Sequence, residues 1–242
     1  MIVVLATTIA SVAHGHTQLY AVNESGKALT KGKYIIKSNM GNGPVTVEKI
    51  DTDALKCRST SMSTDGVDTL TVAGGRNVTF QYQHEDTKSV KNISVMSASH
   101  FGPCTVFMAP VSSKGESDSW FKIFEEGWDK KEKEWCTRKV IKNDGKLEFQ
   151  IPNDIEPGLY YVRSELIALH QATTAGAQIY NNCALINVES TGGSLKPKGY
   201  EIPGIYTGKE LALTWPRSND PEDYPALNPE PYYLDDGSSP TS

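Results

Sequence analysis

The 242-residue sequence predicts an all-β protein, an antiparallel β-sandwich with long loops. Short runs rich in Val, Ile, Thr, Tyr and Phe recur along the chain, Gly, Pro, Asn and Asp separate them, and helical periodicity is scarce. "DTLTVAGGRNVTFQYQHE" alternates apolar and polar residues on both sides of Gly74-Gly75, which predicts two strands joined by a tight turn. "ISVMSAS", "CTVFMAPV", "KLEFQIP", "GLYYVRSELIAL" and "AQIYNNCALINV" continue the series. One stretch, Trp120 to Trp135, has room for a short helix. After Val188 the strand pattern stops, and the Gly-, Pro- and Tyr-rich run to Ser242 reads as a long loop packed on the sandwich and frayed at its end. No internal repeat or Ser/Thr-rich linker divides the chain.

Composition narrows the functional classes. Hydrophobic residues make up 38% and charged residues 22%, which fits a soluble globular domain rather than a disordered or membrane chain. With 24 basic against 29 acidic residues, the net charge of -5 lacks the basic footprint of a nucleic-acid binder. The uncharged opening MIVVLATTIASVAHG has an apolar run from Ile2 to Ala10 and a small-x-small exit at Ala13-His14-Gly15, so residues 1–15 read as a secretory signal peptide. Cleavage removes His14 and leaves a single domain, 16–242, that begins with His16 and frays over about 234–242. A secreted, extracellular protein without a membrane anchor is expected. Cys57, Cys104, Cys136 and Cys183 form an even set without CxxC spacing, which predicts two disulfides with three connectivities open. Sequons at Asn23, Asn77 and Asn92 agree with a glycosylated export route.

The chain has 5 histidines, and one of them opens the expected mature sequence. An N-terminal histidine offers an α-amine and an imidazole, which together chelate a metal, and nitrogen donors in a planar set suit Cu(II). Taken singly, His100 before Gly-Pro, His170, and the Gln178–Tyr180 pair are equally compatible with ordinary structural roles.

In combination they are specific. The start His16-Thr17, the segment "SASHFGPCTVFMAP" and the block "LIALHQATTAGAQIYNNCALINV" resemble the fungal lytic polysaccharide monooxygenases of auxiliary activity family nine, formerly glycoside hydrolase family 61. "GPVTVEKIDTDALKC", "WFKIFEEGW" and "IPNDIEPGLYYVRSELIALH" extend the similarity from His16 to about Tyr233. The resemblance implies an immunoglobulin-like sandwich with a flat substrate face. It also implies a copper ion held by the amine and ring of His16 and by His100, a histidine brace with Tyr180 on its axis. His170 and Gln178 match the hydrogen-bonding pair beside the metal, making His170, Gln178 and Tyr180 the expected catalytic set. Tyr224 aligns with a tyrosine of the flat face and Tyr206 lies in the same loop, so both are expected to touch the polysaccharide; Tyr20 and Tyr34 are weaker candidates. The resemblance further implies a Cys57–Cys183 bond, which leaves Cys104 and Cys136 as the second pair. His84 matches no ligand position.

The implied function is a secreted, monomeric, copper-dependent enzyme that cleaves β-1,4-glycosidic bonds oxidatively in cellulose or related glucans. It would use dioxygen or hydrogen peroxide and an external electron donor. The alternative is a secreted copper-binding or homeostasis protein that keeps the brace without cleaving polysaccharide. A zinc hydrolase built on His16, His100 and His170 would need three imidazoles on one ion and a general base. A non-enzymatic adhesion sandwich would tolerate loss of His16.

Overall fold

A computed structural model describes residues 15–59, 61–84, 95–216 and 221–232. The strands are β1 (Gln18–Glu24), β2 (Thr30–Lys31), β3 (Val45–Thr46), β4 (Leu70–Ala73), β5 (Asn77–Gln83), β6 (Cys104–Pro110), β7 (Phe121–Glu126), β8 (Trp128–Asp129), β9 (Glu134–Trp135), β10 (Lys146–Gln150), β11 (Gly158–Ala168) and β12 (Gln178–Glu189). Two short helices, α1 (Ala54–Cys57) and α2 (Cys136–Lys142), interrupt them.

The strands form the sandwich that the sequence predicts. One antiparallel sheet runs β10-β5-β1-β2, and the second runs β3-β12-β11-β6-β7, with β4 added parallel to the far end of β12. Val22, Phe80, Tyr82, Val106, Val162 and Ala184 meet between the sheets, and each large apolar side chain removed from water there contributes about 1.5–3 kcal/mol. The other face of the second sheet is covered as well: Leu55, Phe107, Tyr161, Cys183, Leu213 and Trp215 pack in a second cluster beneath α1 and the long loop after Glu189. A sheet covered on both faces explains why β11 and β12 are buried along almost their whole length, with the polar Arg163, Ser164, Glu165, Asn181 and Asn182 enclosed among the apolar residues. Both disulfides join as expected, Cys57 to Cys183 and Cys104 to Cys136, with Cα separations of 5.2 and 5.7 Å.

Three local expectations are corrected. The two strands flanking Gly74-Gly75 do not form a hairpin: β4 pairs with β12 and β5 with β1 and β10, so the glycines carry the chain from one sheet to the other. Gly74 is small for a packing reason, since a Cβ there would come within 3.0 Å of the backbone of Pro152 and Asn153. Trp120 to Trp135 holds strand rather than helix, and the helix follows directly as α2. Of "ISVMSAS", residues 95–99 are irregular and turn-forming, while Ile93 and Ser94 lie outside the described residues. Residues 1–14, Asn92 and Tyr233 also lie outside them. Asn77 is exposed, whereas the Asn23 amide donates to the Ala28 carbonyl. His84 is buried, and its carbonyl accepts from Asn42 at 2.8 Å.

Candidate metal centre

The approach to the site is set by backbone crowding. His100 closes a turn in which its amide donates to Ser97 at 2.9 Å. The chain then runs along the end of β11, with Leu169 donating to the Phe101 carbonyl at 2.8 Å and Ile167 to the Pro103 carbonyl at 3.0 Å. Gly102, between them, has φ +154°, and a Cβ there would sit 2.1 Å from the Ile167 carbonyl oxygen. Only glycine allows that approach. It brings the His100 ring to 4.0 Å from the ring of His170, just past the end of β11.

β12 supplies the rest. Gln178, Tyr180 and Asn182 alternate onto its inner face, while Cys183 points the other way, into the outer cluster. Tyr180 is fully buried, and its ring lies 6.1 Å from that of His100 and 6.3 Å from that of His16. Its hydroxyl donates to Gln178 Oε1 at 2.9 Å, and Gln178 Nε2 donates to Gln171 Oε1 at 3.1 Å. Burial pushes the Tyr180 phenol well above its ordinary pKa, so it stays protonated. The Asn182 side chain accepts from the Leu19 amide at 3.1 Å and so docks the start of β1 beside the same strand.

Burial, followed by the neighbouring rings of His170 and His16, lowers the His100 pKa to about 4. At neutral pH His100 is therefore a neutral imidazole with a lone pair to offer. Its Nδ1 faces Ser99 Oγ at 3.2 Å, and its Nε2 faces the N-terminal chain: a Cβ on Gly15 would lie 2.8 Å from Nε2 and 2.6 Å from Cε1. The backbone that enters His16 thus abuts the second histidine, and scission after Gly15 would leave a primary amine in that cradle. Among the described residues no three His, Cys, Asp or Glu side chains converge as a metal site, so the zinc trio of His16, His100 and His170 is not formed. Two imidazoles and the amine that scission after Gly15 would free would make a nitrogen-rich donor set, a kind that suits copper.

The structure brings His16, His100, His170, Gln178 and Tyr180 to one end of the sandwich. The expectation for Tyr206 is corrected: it is 3% exposed and its hydroxyl donates to Glu165 at 2.8 Å inside the outer cluster, so it has no ring face to offer a polymer. Glu165 also pairs with Arg163 at 2.6 Å, both fully buried, and the pair needs the Tyr206 and Thr105 hydroxyls to satisfy it. Tyr224 is half-buried, edge-packed by Trp135 at 4.8 Å and Trp215 at 5.4 Å, and its hydroxyl donates inward to the Ala212 carbonyl at 3.0 Å. With Trp128 it lines a shallow depression of about 260 Å³. Tyr20 and Tyr34 line a separate groove with Lys31 and Lys33, whose ammonium groups lie over the two rings at 5.3 and 5.1 Å. Sequence reasoning missed Gln171, although it stands next to His170 and seven residues before Gln178, across a turn that closes two paired strands.

The sequence profile of Auxiliary Activity family 9, formerly GH61, matches residues 12–224. The chain belongs to this family. It is 35% identical over 240 residues to the AA9 family lytic polysaccharide monooxygenase A of Aspergillus niger and 32% identical over 235 residues to that of Aspergillus terreus, matches that cover 97% and 95% of this chain. It spans 56% and 62% of the length of those two relatives. Among solved structures, CvAA9A superposes with a TM-score of 0.79 at 24% identity, covering 90% of this chain and 98% of its own. A cellulose-active polysaccharide monooxygenase from M. thermophila gives 0.67 at 24%, covering 90% and 99%. At those identities the superpositions establish the fold of this AA9 chain.

Proposed function

We propose that this AA9 protein is a secreted, copper-dependent lytic polysaccharide monooxygenase acting on β-1,4-linked glucan, most simply cellulose. The observation that carries this reading is the cradle at the N-terminus: His100 Nε2 faces the backbone leading into His16, and the Tyr180 ring lies 6.1 Å from that of His100 and 6.3 Å from that of His16. In this reading residues 1–15 are removed, and 16–242 form the working domain as a monomer. The His16 amine and ring and His100 would hold the copper, with the Tyr180 ring beside both histidines. Copper bound there supplies one-electron chemistry with dioxygen or hydrogen peroxide, fed by an external reductant.

The protein's part is arrangement. Tyr180, protonated and committed to Gln178, presents a neutral oxygen rather than a phenolate. His170, whose ring lies 4.0 Å from that of His100, would donate or shuttle a proton at its ring. The Gln178 amide is oriented at both ends, by Tyr180 and Gln171, which leaves one N–H for a ligand. Tyr224 and Trp128 supply aromatic surface for sugar rings.

The test uses protein beginning at His16, loaded with one copper and incubated with cellulose, reductant and oxygen, with soluble products read by mass spectrometry. Oxidised oligosaccharides that vanish in His100→Ala establish the activity. The inward hydroxyls of Tyr206 and Tyr224 favour a second reading, a copper-handling protein with a reduced sugar-binding face. Tight copper binding without oxidised product from cellulose or hemicelluloses would select it.

A further inference from the structure

Arg58 stands outside every motif in the sequence. It follows Cys57 at the end of α1, in the left-handed conformation (φ 53°), and its residue is 0% exposed. Its Nη1 donates to the Thr17 carbonyl at 2.9 Å, and its Nη2 donates to the Gly41 carbonyl. Its own carbonyl accepts from Ser38 Oγ at 2.8 Å and from the Asn39 amide at 3.3 Å. Among the described residues no carboxylate pairs with it, and its Nε has no hydrogen-bond partner. Burial lowers its pKa only to about 10, so the group remains charged at neutral pH. A buried guanidinium without a counter-charge is costly, and this one spends Nη1 on the carbonyl of Thr17, the residue next to His16, and Nη2 on the Gly41 loop.

We infer that Arg58 is a positioning residue for the N-terminal histidine, an inference that rests on the copper reading above only for its functional consequence. Thr17 is fully buried and is held from two sides, by Arg58 on its carbonyl and through its own hydroxyl donating to Gln83 O at 3.3 Å. Two residues on, Leu19 is tied to Asn182 of β12. His16 itself is exposed and projects from this anchored stub. The planar fork fixes a direction as well as a distance, which a lysine ammonium cannot reproduce. The Cys57–Cys183 bond holds the neighbouring residue to β12, so the fork is registered against the strand that carries Tyr180.

The test compares wild type, Arg58→Lys and Arg58→Gln, each beginning at His16 and each confirmed folded by near-ultraviolet circular dichroism. Without metal, amide hydrogen exchange in peptide 16–20 should be at least ~10-fold faster in both variants, with 178–189 unchanged. Cu(II) should bind ~10–100-fold more weakly, with Lys between Gln and wild type, and with broadened copper resonances in electron paramagnetic spectra. Unchanged exchange at 16–20 in a folded variant overturns the assignment. So does tighter copper binding in Arg58→Gln, which would make the charge a repulsive group. If the Gln variant does not fold, the Lys variant decides alone. A wild-type chain that fails to bind copper sinks the functional reading and leaves the exchange comparison to settle Arg58.

Discussion

The Tyr180 hydroxyl donates to the side-chain carbonyl of Gln178 at 2.9 Å, two residues back along the same strand. The two halves of this bond are unequal. Gln178→Leu leaves a buried phenol without its acceptor and should cost about 1–3 kcal/mol, whereas Tyr180→Phe removes the donor and should cost less. Denaturant unfolding of both variants checks this, and equal losses would show that the phenol finds another acceptor.

Gly102 should be intolerant of even one methyl group. Gly102→Ala places a carbon against the Ile167 carbonyl and must separate the His100 segment from β11. The expected loss is more than about 2 kcal/mol, together with weaker copper binding. A melting temperature matching wild type would mean that the segment relaxes without moving His100.

The long loop is latched by an ion pair that imitates a strand. Lys122 donates to the Leu227 carbonyl at 2.7 Å, Glu125 accepts from the Leu227 amide at 2.6 Å, and the two side chains pair at 2.6 Å. Lys122→Met leaves Glu125 buried with its cation gone and should cost about 3–5 kcal/mol, part of which Lys122→Met/Glu125→Gln should restore. A double-mutant cycle measured by thermal unfolding gives the coupling; a coupling near zero would remove the latch.

The two disulfides should differ in worth by their loops. Cys57–Cys183 closes a separation of 126 residues and Cys104–Cys136 one of 32, which the chain-entropy account converts to about 5 and about 4 kcal/mol. Serine pairs at each site, compared by denaturant unfolding, should rank in that order.

Acid should release a small ionic contribution. Lys139 hydrogen-bonds Asp129 and pulls its carboxyl down to about 2. The folded pKa lies below the ordinary 3.8, so the stabilisation is present above pH 4 and lost as pH falls towards 2. Asp129→Asn should flatten that part of the stability curve by at most about 1 kcal/mol, since the pair is partly solvated. Parallel curves for the two proteins between pH 4 and 2 would contradict this.

Much of the molecule is legible in the sequence because β-strands announce themselves by composition: five of the predicted runs coincide with β4 and β5 together, β6, β10, β11 and β12. Pairing is less legible. The alternation around Gly74-Gly75 marks two strands but says nothing about their partners, and the turn that looks like a hairpin crosses between sheets. The histidines and Tyr180 stand out because they sit in family motifs. Arg58 lies outside those motifs, and Gln171 and Asn182 lie inside one without announcing a role, since all three act through hydrogen bonds that only the folded chain brings together. Tyr206 misled for the opposite reason: a tyrosine in a Gly/Pro-rich loop looks exposed until the buried Glu165 it satisfies is in view.

The loop after Glu189 meets the sheets through few backbone bridges, at Leu195 and Tyr200, and otherwise through side chains such as Tyr206 and the peptide of Leu227. It behaves as a veneer fastened at discrete points. Such a veneer can be exchanged between homologues, or lengthened in evolution, while the strand ladders beneath keep their register. Grafts that retain those fastenings offer a route to changing what the surface grips without rebuilding the scaffold that holds the histidines.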